Sequence, residues 1–285
     1  MKRSLALLLL LTLTVLTLFS ASSCKDKKTA ITIAIPNDTT NEARALMLLE
    51  SLGYIKLREG AGITATVLDV VENKYNITFR EIEAAQIPNV RQDVDYAIIN
   101  SNYAIQAGIN PATAALRMEG SASAYGNILA VKAGRETEPR ILALKAALES
   151  RQVKDYIDAH YSGSVVSIVD TLTDGYDATL DYDALSGSTV TVAASPTPHA
   201  DILRDVVAPI LATRGITLVI RELEDYVVPN EVVESGEADA NYFQHLPYLN
   251  DFNANHNTHI VSIAAIHVEP MGLYGGKKTD LSPFN

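Results

Sequence analysis

Two stretches of the chain share one pattern of hydrophobic and polar positions, and the pattern predicts a strand, a turn and a helix in each. The first is AITIAIPNDTTNEARALMLLESLG (30–53), where isoleucines alternate, Pro36 and Asp38 turn the chain, and Gly53 can end the helix. The second is STVTVAASPTPHADIL (188–203), where β-forming residues again lead through prolines into a helix. Alternating strands and helices favour an α/β fold, and two such series indicate two lobes.

The carboxyl ends of these strands are where the pattern places a ligand. In open α/β sheets the crevice lies beyond those ends, beside turns and helix N-termini. In the first series, Thr39 followed three residues later by Glu42 matches a capping box, which predicts an N-cap at Thr39. Arg44 lies in the first turns of the same helix and offers a planar, bidentate donor to a carboxylate. From its spacing alone, a solvated surface arginine is the simpler interpretation.

The densest aromatic patch is NYFQHLPYL (241–249), in a chain with no tryptophan and five phenylalanines. Such a patch suits an uncharged side chain of modest size, and a thioether sulfur contacts aromatic rings favourably. An aromatic core cluster beneath a loop is the alternative. No metal site is predicted, because no common ligand spacing is matched by His245, His256, His259 and His267.

The N-terminal residues have the composition of an export signal. Lys2 and Arg3 precede an apolar run (5–19), which small residues and then Cys24 follow. The run is shorter than the ~20 residues that a membrane-spanning helix needs. Cys24 is the only cysteine, and its position resembles the lipobox of bacterial lipoproteins, although Ala21 stands where leucine is usual. This resemblance implies a lipid on Cys24, and a chance cysteine at an ordinary cleavage site is the alternative.

Net charge and missing motifs exclude several functions. The formal net charge of −11 argues against nucleic acid as a partner. GAG at 60–62 lacks the further glycine and the preceding strand of a nucleotide-binding loop. GSTVT (187–191) lacks the flanking glycines of a nucleophile elbow, and no Ser-His-acid or Cys-His signature is found in the sequence. The sequence therefore favours binding over catalysis, and it predicts no cofactor.

Seven motifs together resemble those of the NLPA-type methionine-binding lipoprotein family, the solute-binding subunits of ABC importers for methionine. The motifs are AIPNDTTNEARALMLL (34–49), EGAGI (59–63), INSNYAIQAGINP (99–111), SPTPHADIL (195–203), DYVVPN (225–230), DANYFQHLPYL (239–249) and HVEPMGLY (267–274). The resemblance covers about residues 30–161 and 188–285. It implies an α/β, two-lobed periplasmic-binding-protein (type II) fold in which each lobe is a mixed sheet flanked by helices.

The order of these motifs departs from the family's pattern. In the family SPTPHA comes soon after the lipid-bearing cysteine, and HVEPMGLY runs on through a loop into AIPND, whereas here the second part comes first. The resemblance therefore implies a circular permutation in which residues 162–188 join the old end to the old start, a change that close termini and an exposed new cut would permit. The predicted segments are a signal peptide (1–23), a lipid-bearing tether (24–29), a first lobe (30–124), a second lobe (125–272) and a tail (273–285) that returns to the first lobe.

The resemblance also implies a methionine site. Arg44 would clamp the α-carboxylate, and Asn100 and Asn102 would contact the zwitterion. Candidates for the partner of the ammonium group are Glu83 and Glu269. The thioether slot and the further ligand contacts are assigned to Tyr226, Phe243, His245, Asn37 and Tyr274.

The implied function is that of a membrane-anchored protein that captures L-methionine, or a close derivative, and delivers it to the permease and ATPase subunits of an ABC importer. No enzymatic activity is expected, and lobe closure over the ligand would present a surface to the importer. The protein is expected to be a monomer, held at the cell membrane by lipid on Cys24 and facing the periplasm or the cell exterior. Another small amino acid, a methionyl dipeptide, and a surface lipoprotein that has lost transport stay open as alternatives.

Overall fold

The computed structural model describes residues 30–120 and 125–285. The predicted signal peptide, the predicted tether and Cys24, the predicted lipid site, lie outside the described residues. Within the described part of the chain, no helix is both long enough and apolar enough to cross a membrane. Residues Ile31–Asn285 form one compact unit, which contains two large sheets and one small sheet.

The first sheet has five strands, and the isoleucine-rich strand that the sequence predicts is one of its interior strands. In spatial order the strands are β4 (Ile77–Ile82), β1 (Ile31–Pro36), β5 (Tyr96–Ile99), β13 (Gly272–Gly275) and β6 (Ala115–Met118). β1 is parallel to β4 and β5, whereas β13 is antiparallel to β5 and β6. Side chains alternate between the two faces of a strand. Ile33 and Ile35 accordingly pack in one hydrophobic cluster and Ala34 in another, so both faces of β1 are covered.

The second sheet has six strands. In spatial order they are β10 (Thr217–Glu222), β9 (Thr189–Ala194), β11 (Ala240–His245), β7 (Gly126–Lys132), β12 (Ile260–Val268) and β8 (Val166–Ser167). β9 is parallel to β10 and β11, whereas β7 is antiparallel to β11 and β12. A small antiparallel sheet pairs β2 (Ile55–Leu57) with β3 (Val70–Asn73).

Helices flank both large sheets. The α-helices are α1 (Thr39–Ser51), α2 (Ile87–Val90), α3 (Ser101–Gln106), α4 (Pro111–Ala114), α5 (Pro139–Leu148), α6 (Arg151–His160), α7 (Tyr182–Leu185), α8 (Ala208–Ala212), α9 (Val228–Glu234) and α10 (Leu246–His256). Two π-type segments, Pro196–Ala200 and Leu203–Val207, precede α8. Short 3₁₀ turns lie at Gly62–Thr64, Val67–Asp69, Ala84–Gln86, Arg91–Asp93 and Ser282–Phe284. The predicted fold class, α/β with mixed sheets flanked by helices, is confirmed.

The start of α1 corrects one local prediction. The N-cap is Asp38, whose backbone is extended (φ −82°, ψ 144°) and whose side chain accepts a hydrogen bond from the backbone N–H of Asn41. Glu42 does not reach back to the helix start, because its carboxylate accepts a hydrogen bond of 2.8 Å from the backbone N–H of Val67. The capping box predicted at Thr39 is therefore wrong, since a tertiary contact uses the glutamate that the motif would need.

The chain crosses between the two large sheets twice, after β6 and after β12, and the two crossings are bonded to each other. The backbone N–H of Glu119 donates to the carbonyl of Met271 at 2.8 Å. The Glu119 carboxylate accepts from the backbone N–H of Met271 at 3.1 Å. Glu119 follows β6 directly and Glu269 follows β12 directly. Each crossing therefore carries one carboxylate.

The residues after β13 pack into the core of the first sheet. The Phe284 ring stacks on Tyr54, with ring centroids 3.9 Å apart and planes 4° apart, and it meets the edge of Tyr75 at 5.1 Å. The hydroxyl of Tyr75 donates to the Phe284 carbonyl at 2.7 Å, and the hydroxyl of Tyr96 donates to the Asp280 carbonyl at 2.7 Å. The lobe boundaries at 124 and 272 and the circular permutation stay predictions.

Candidate functional site

One pocket, with about 370 Å³ of unfilled space, is lined by residues that belong to or follow strands of both large sheets. Six of the residues assigned from the sequence line it, namely Arg44, Asn100, Asn102, Tyr226, Phe243 and His245.

Two assigned residues do not line this pocket. Asn37 is exposed at the turn between β1 and α1. Tyr274 is fully buried in β13, where its ring packs against the clusters around Ala34 and Ile99. β13 is an interior strand of the first sheet, so its side chains are used for packing between the sheet and its helices. Of the two candidates for the ammonium partner, Glu83 is exposed, and Glu269 is buried and lines the pocket.

Arg44 is the positive charge of the pocket, and part of it is already bonded. The side chain is 6% exposed; its Nε lies 2.9 Å from one Glu119 oxygen and its Nη2 lies 2.5 Å from the same oxygen. Nη2 also donates to the Glu269 carbonyl at 2.8 Å, and the guanidinium lies 4.4 Å from the centre of the Tyr125 ring. Nη1 makes no hydrogen bond to a described residue. The Nε side of the guanidinium is therefore held by Glu119, and the Nη1 end is the part that a ligand can use.

Two buried amides contribute unsatisfied polar atoms of opposite kind. The Nδ2 of Asn100 donates to the Oδ1 of Asn41 at 2.8 Å, and the Oδ1 of Asn102 accepts from the Tyr226 hydroxyl at 2.8 Å. The remaining atoms, Asn100 Oδ1 and Asn102 Nδ2, are buried and have no partner within residues 30–120 and 125–285. A buried polar group without a partner costs about 1–3 kcal/mol. The pocket thus offers one acceptor and one donor that a ligand would satisfy.

The apolar side of the pocket is a cluster of aromatic rings. Phe243 and Tyr248 pack with Phe252 in one buried cluster, and Tyr226 lies against it. The Tyr226 ring centre lies 5.9 Å from the centres of both Phe243 and Tyr248. The Tyr248 hydroxyl donates to the Tyr226 carbonyl at 2.9 Å, so its polar end is satisfied away from the ring faces. These rings form a surface that suits an uncharged, polarisable side chain.

His245 lies at the junction of β11 and α10 and is electrically neutral. It is the N-cap of α10, and its Nδ1 accepts a hydrogen bond of 3.2 Å from the backbone N–H of Tyr248. Burial, with a smaller contribution from the positive charge of Arg44, lowers the pKa of His245 to about 3. Because Nδ1 is an acceptor, the proton of the neutral ring is on Nε2. His245 is therefore a donor at the rim of the aromatic cluster.

Three buried side chains at the pocket form the cluster that could hold a metal ion among the described residues. Ligand atoms of His199, His267 and Glu269 all lie within 4.8 Å of one another. A hydrogen bond already joins two of them, because the Nε2 of His267 lies 2.8 Å from Glu269 Oε1. The Nδ1 of His267 lies 2.5 Å from the Tyr242 hydroxyl. His199 Nε2 lies 2.9 Å from Asn127 Oδ1. The Nε2 of His199 also lies 3.3 Å from Glu269 Oε1. The three side chains thus form a polar network, in which the Nδ1 of His199 has no partner among the described residues.

The charges within this network are set by burial and by hydrogen bonds. Burial, the largest effect, lowers the pKa of His199 to about 3, and the carboxylate of Glu269 opposes it only in part. Burial by itself would raise the pKa of Glu269, but the adjacent imidazoles of His199 and His267 and the nearby Arg44 hold it below its ordinary value. Glu269 is therefore an ionised carboxylate beside a neutral His199.

The neutral, buried histidines predict a specific dependence of stability on pH. In the unfolded chain His199 and His245 take up protons below about pH 6.5, whereas in the folded chain burial prevents this until about pH 3. The unfolded state binds more protons in this range, so the free energy of unfolding falls as the pH falls. We expect a loss of about 2 kcal/mol for the two histidines between pH 6.5 and 5.5. Urea unfolding at a series of pH values measures it.

A matched pair of variants separates this effect from general acid sensitivity. His245→Gln should remove about half of the expected pH dependence. The exposed His160→Gln should leave it unchanged. If the free energy of unfolding of the His245 variant and of the unaltered protein fell equally with pH, His245 would take up its proton as readily in the folded state as in the unfolded state.

Sequence reasoning did not assign several residues that line the pocket or that hold its side chains in place. Glu119, which holds Arg44, belongs to none of the seven motifs, and no local pattern identifies it. His199 lies in the SPTPHADIL motif and Tyr248 lies in the aromatic patch, but neither was assigned to the ligand. Asn41 and Asn127 also line the pocket.

The sequence of this chain, with its α/β architecture and its polar and aromatic pocket, matches a known protein family. The chain belongs to the NlpA lipoprotein family, whose model matches residues 4–169 and 190–285. The resemblance identified from the sequence motifs is therefore confirmed.

Individual relatives match about half of the chain. Membrane lipoprotein TpN32 of Treponema pallidum is 47% identical over 135 residues, which are 47% of this chain and 50% of that protein. The D-methionine-binding lipoprotein MetQ of Yersinia pestis is 39% identical over 136 residues, with 47% and 50% covered. A solved structure of a nutrient binding protein from Burkholderia cenocepacia bound to methionine is 43% identical, with 50% of this chain and 61% of that chain covered and a TM-score of 0.48. The chain spans about half the length of the curated relatives it matches.

Proposed function

We propose that this protein is a lipid-anchored solute-binding protein that captures methionine, or a close derivative, and delivers it to an ABC importer. Binding and not catalysis is its activity. The observation that carries the proposal is the pairing, in one pocket, of groups for a zwitterion with a surface of aromatic rings. Names of relatives support the same ligand, since one is a D-methionine-binding lipoprotein and another was solved with methionine bound.

The polar groups fit a free amino acid. The Nη1 of Arg44 and the Nδ2 of Asn102 are donors for its α-carboxylate. The Oδ1 of Asn100 and the ionised Glu269 are acceptors for its ammonium group. Since the guanidinium of Arg44 is already paired with Glu119, the carboxylate of Glu269 is left to balance a positive charge on the ligand. Both ends of a zwitterion therefore find partners.

The aromatic rings fit the side chain. A thioether sulfur gains about 0.3–1.5 kcal/mol from contact with an aromatic ring, and Tyr226, Phe243 and Tyr248 provide three rings. His245 bounds this slot as a neutral ring, so the slot carries no charge of its own. Leucine and other aliphatic side chains would fill the slot less well, since they are shorter and lack the sulfur.

The lipid anchor and the rearranged order are part of the same proposal. Lipid on Cys24 would hold the protein at the membrane, facing the periplasm or the cell exterior, where an importer could receive the ligand. A circular permutation is supported by the matches to relatives, each of which covers about half of both chains. A rearranged chain aligns with an ordinary one over only one part at a time.

Calorimetric titration with L-methionine tests the proposed function. We expect saturable binding of one ligand per chain, and binding of L-leucine at least about tenfold weaker, because the difference in the hydrophobic slot is worth about 1–3 kcal/mol. L-methionine recovered unchanged after incubation would agree with binding and not catalysis.

The same titration has outcomes that contradict the proposal. A flat trace from a well-folded protein would overturn methionine binding and favour a surface lipoprotein that has lost transport. Tighter binding of a methionyl dipeptide or of another small amino acid would change the proposed ligand, but the protein would still be a solute-binding protein. D-methionine belongs in the same series, since the name of one relative specifies it.

A further inference from the structure

A chain of three side chains leads from the N-cap of α1 to the pocket. The Oδ1 of Asp38 accepts hydrogen bonds from Asn41, from its backbone N–H at 3.1 Å and from its Nδ2 at 2.9 Å. The Oδ1 of Asn41 then accepts from the Nδ2 of Asn100 at 2.8 Å. Asn100 follows β5 and lines the pocket, and its Oδ1 has no partner in the part of the chain that is described.

The direction of this chain follows from its first member. A carboxylate has no proton to donate, so Asp38 can face only the NH₂ group of Asn41. The carbonyl oxygen of Asn41 must then point the other way, towards Asn100, and only the NH₂ group of Asn100 can meet it. The remaining atom of Asn100, its Oδ1, is an acceptor. The orientation of both amides is thus determined by chemistry and does not depend on assigning oxygen and nitrogen within each amide.

We propose that Asp38 and Asn41 are positioning residues that make Asn100 present an acceptor to the pocket, and that this selects ligands with an ammonium group. The inference rests on the proposed function and goes beyond it, because Asp38 itself does not line the pocket. An amide that could turn over would offer its NH₂ group to the ammonium group instead, and two donors would face each other. The chain of hydrogen bonds prevents that arrangement.

The two polar ends of the ligand site present atoms of opposite kind. Asn102 is held in the opposite sense, since its Oδ1 is occupied by the Tyr226 hydroxyl and its Nδ2 is the free atom. Asn100 therefore faces the ammonium end and Asn102 the carboxylate end. A ligand without an ammonium group would leave Asn100 Oδ1 unpaired, which weakens its binding.

A structural role of Asp38 has to be distinguished from this positioning role. Asp38 caps α1, so removing it destabilises the helix whatever happens at the pocket. A weaker helix would reduce the affinity for every ligand alike. The quantity to measure is therefore the ratio of two affinities, one for L-methionine and one for 4-(methylthio)butanoate, which has the same side chain and carboxylate but no ammonium group.

The experiment compares three variants of the whole protein by calorimetric titration with both ligands at about pH 7.5. Burial raises the pKa of the Asp38 carboxyl above its ordinary value, so the titration uses a pH well above that value. Asp38→Ala removes the acceptor. Asp38→Asn keeps an acceptor and a good N-cap, so it tests rescue by the conservative change. Ser150→Ala removes the N-cap of α6, which lies outside the pocket, and is the matched control for the loss of a cap.

We expect Asp38→Ala to lower the preference for L-methionine over the deaminated analogue by about tenfold, the size of one hydrogen bond to a charged group. Asp38→Asn should restore most of the preference, and Ser150→Ala should leave it unchanged. A preference that is the same in Asp38→Ala as in the unaltered protein would overturn the inference while the proposed function stands. Failure of the unaltered protein to bind L-methionine would overturn the proposed function, and the inference with it.

Discussion

Replacement of Arg44 by alanine is expected to weaken the binding of methionine by at least about 100-fold, or about 3 kcal/mol. The guanidinium is buried and supplies the Nη1 donor for the ligand carboxylate. Its loss also leaves Glu119 without its partner, since both Nε and Nη2 of Arg44 bond to that carboxylate. The variant pocket would then hold the carboxylates of Glu119 and Glu269 without a cation, and a carboxylate ligand would be repelled.

Calorimetric titration of L-methionine into the Arg44→Ala protein measures this effect. Arg44→Lys keeps the charge but cannot reproduce the planar pairing. Its affinity for L-methionine should lie between those of the Arg44→Ala protein and the unaltered protein. Arg58→Ala is the matched control, because it also breaks an arginine–carboxylate pair, with Asp69, but on the surface. A change of less than threefold in Arg44→Ala would remove Arg44 from the ligand site.

Replacement of Phe284 by alanine is expected to lower the free energy of unfolding by about 3–5 kcal/mol. The ring is 5% exposed and packs against three tyrosines, Tyr54, Tyr75 and Tyr96, so its removal leaves a cavity in the core of the first sheet. The same contacts hold the segment after β13 in place. The variant should therefore also lose methionine affinity, because β13 is joined to the crossing that carries Glu269.

Urea denaturation of the Phe284→Ala protein measures the loss. Leu68→Ala is the control, since Leu68 is 91% exposed and its truncation should change stability by less than about 0.5 kcal/mol. Equal stability of the two variants would show that the segment 276–285 does not depend on this aromatic packing.

Much of the fold could be predicted from local patterns. β1 and the body of α1 follow from alternating isoleucines and from the run of helix-forming residues after Pro36. The start of α1 was predicted incorrectly at Thr39, because Asp38 and Thr39 are both good N-caps and only the backbone of the folded chain distinguishes them. Tyr274, which the resemblance assigns to the ligand, packs in the core beside Ala34 and Ile99 and does not line the pocket, since a tyrosine in a motif can serve packing or a ligand equally well.

The sequence by itself determined the α/β class, the family and six of the residues that line the pocket, because strand and helix periodicity are local and the motifs are contiguous. Only the tertiary structure decided how those residues are used. Arg44 is paired with Glu119, 75 residues away, and Asn100 is oriented by Asn41, 59 residues away. Such contacts depend on how the elements pack, which brings together side chains that no local spacing relates. The orientation of the Asn100 amide, and with it the acceptor in the pocket, was decided there.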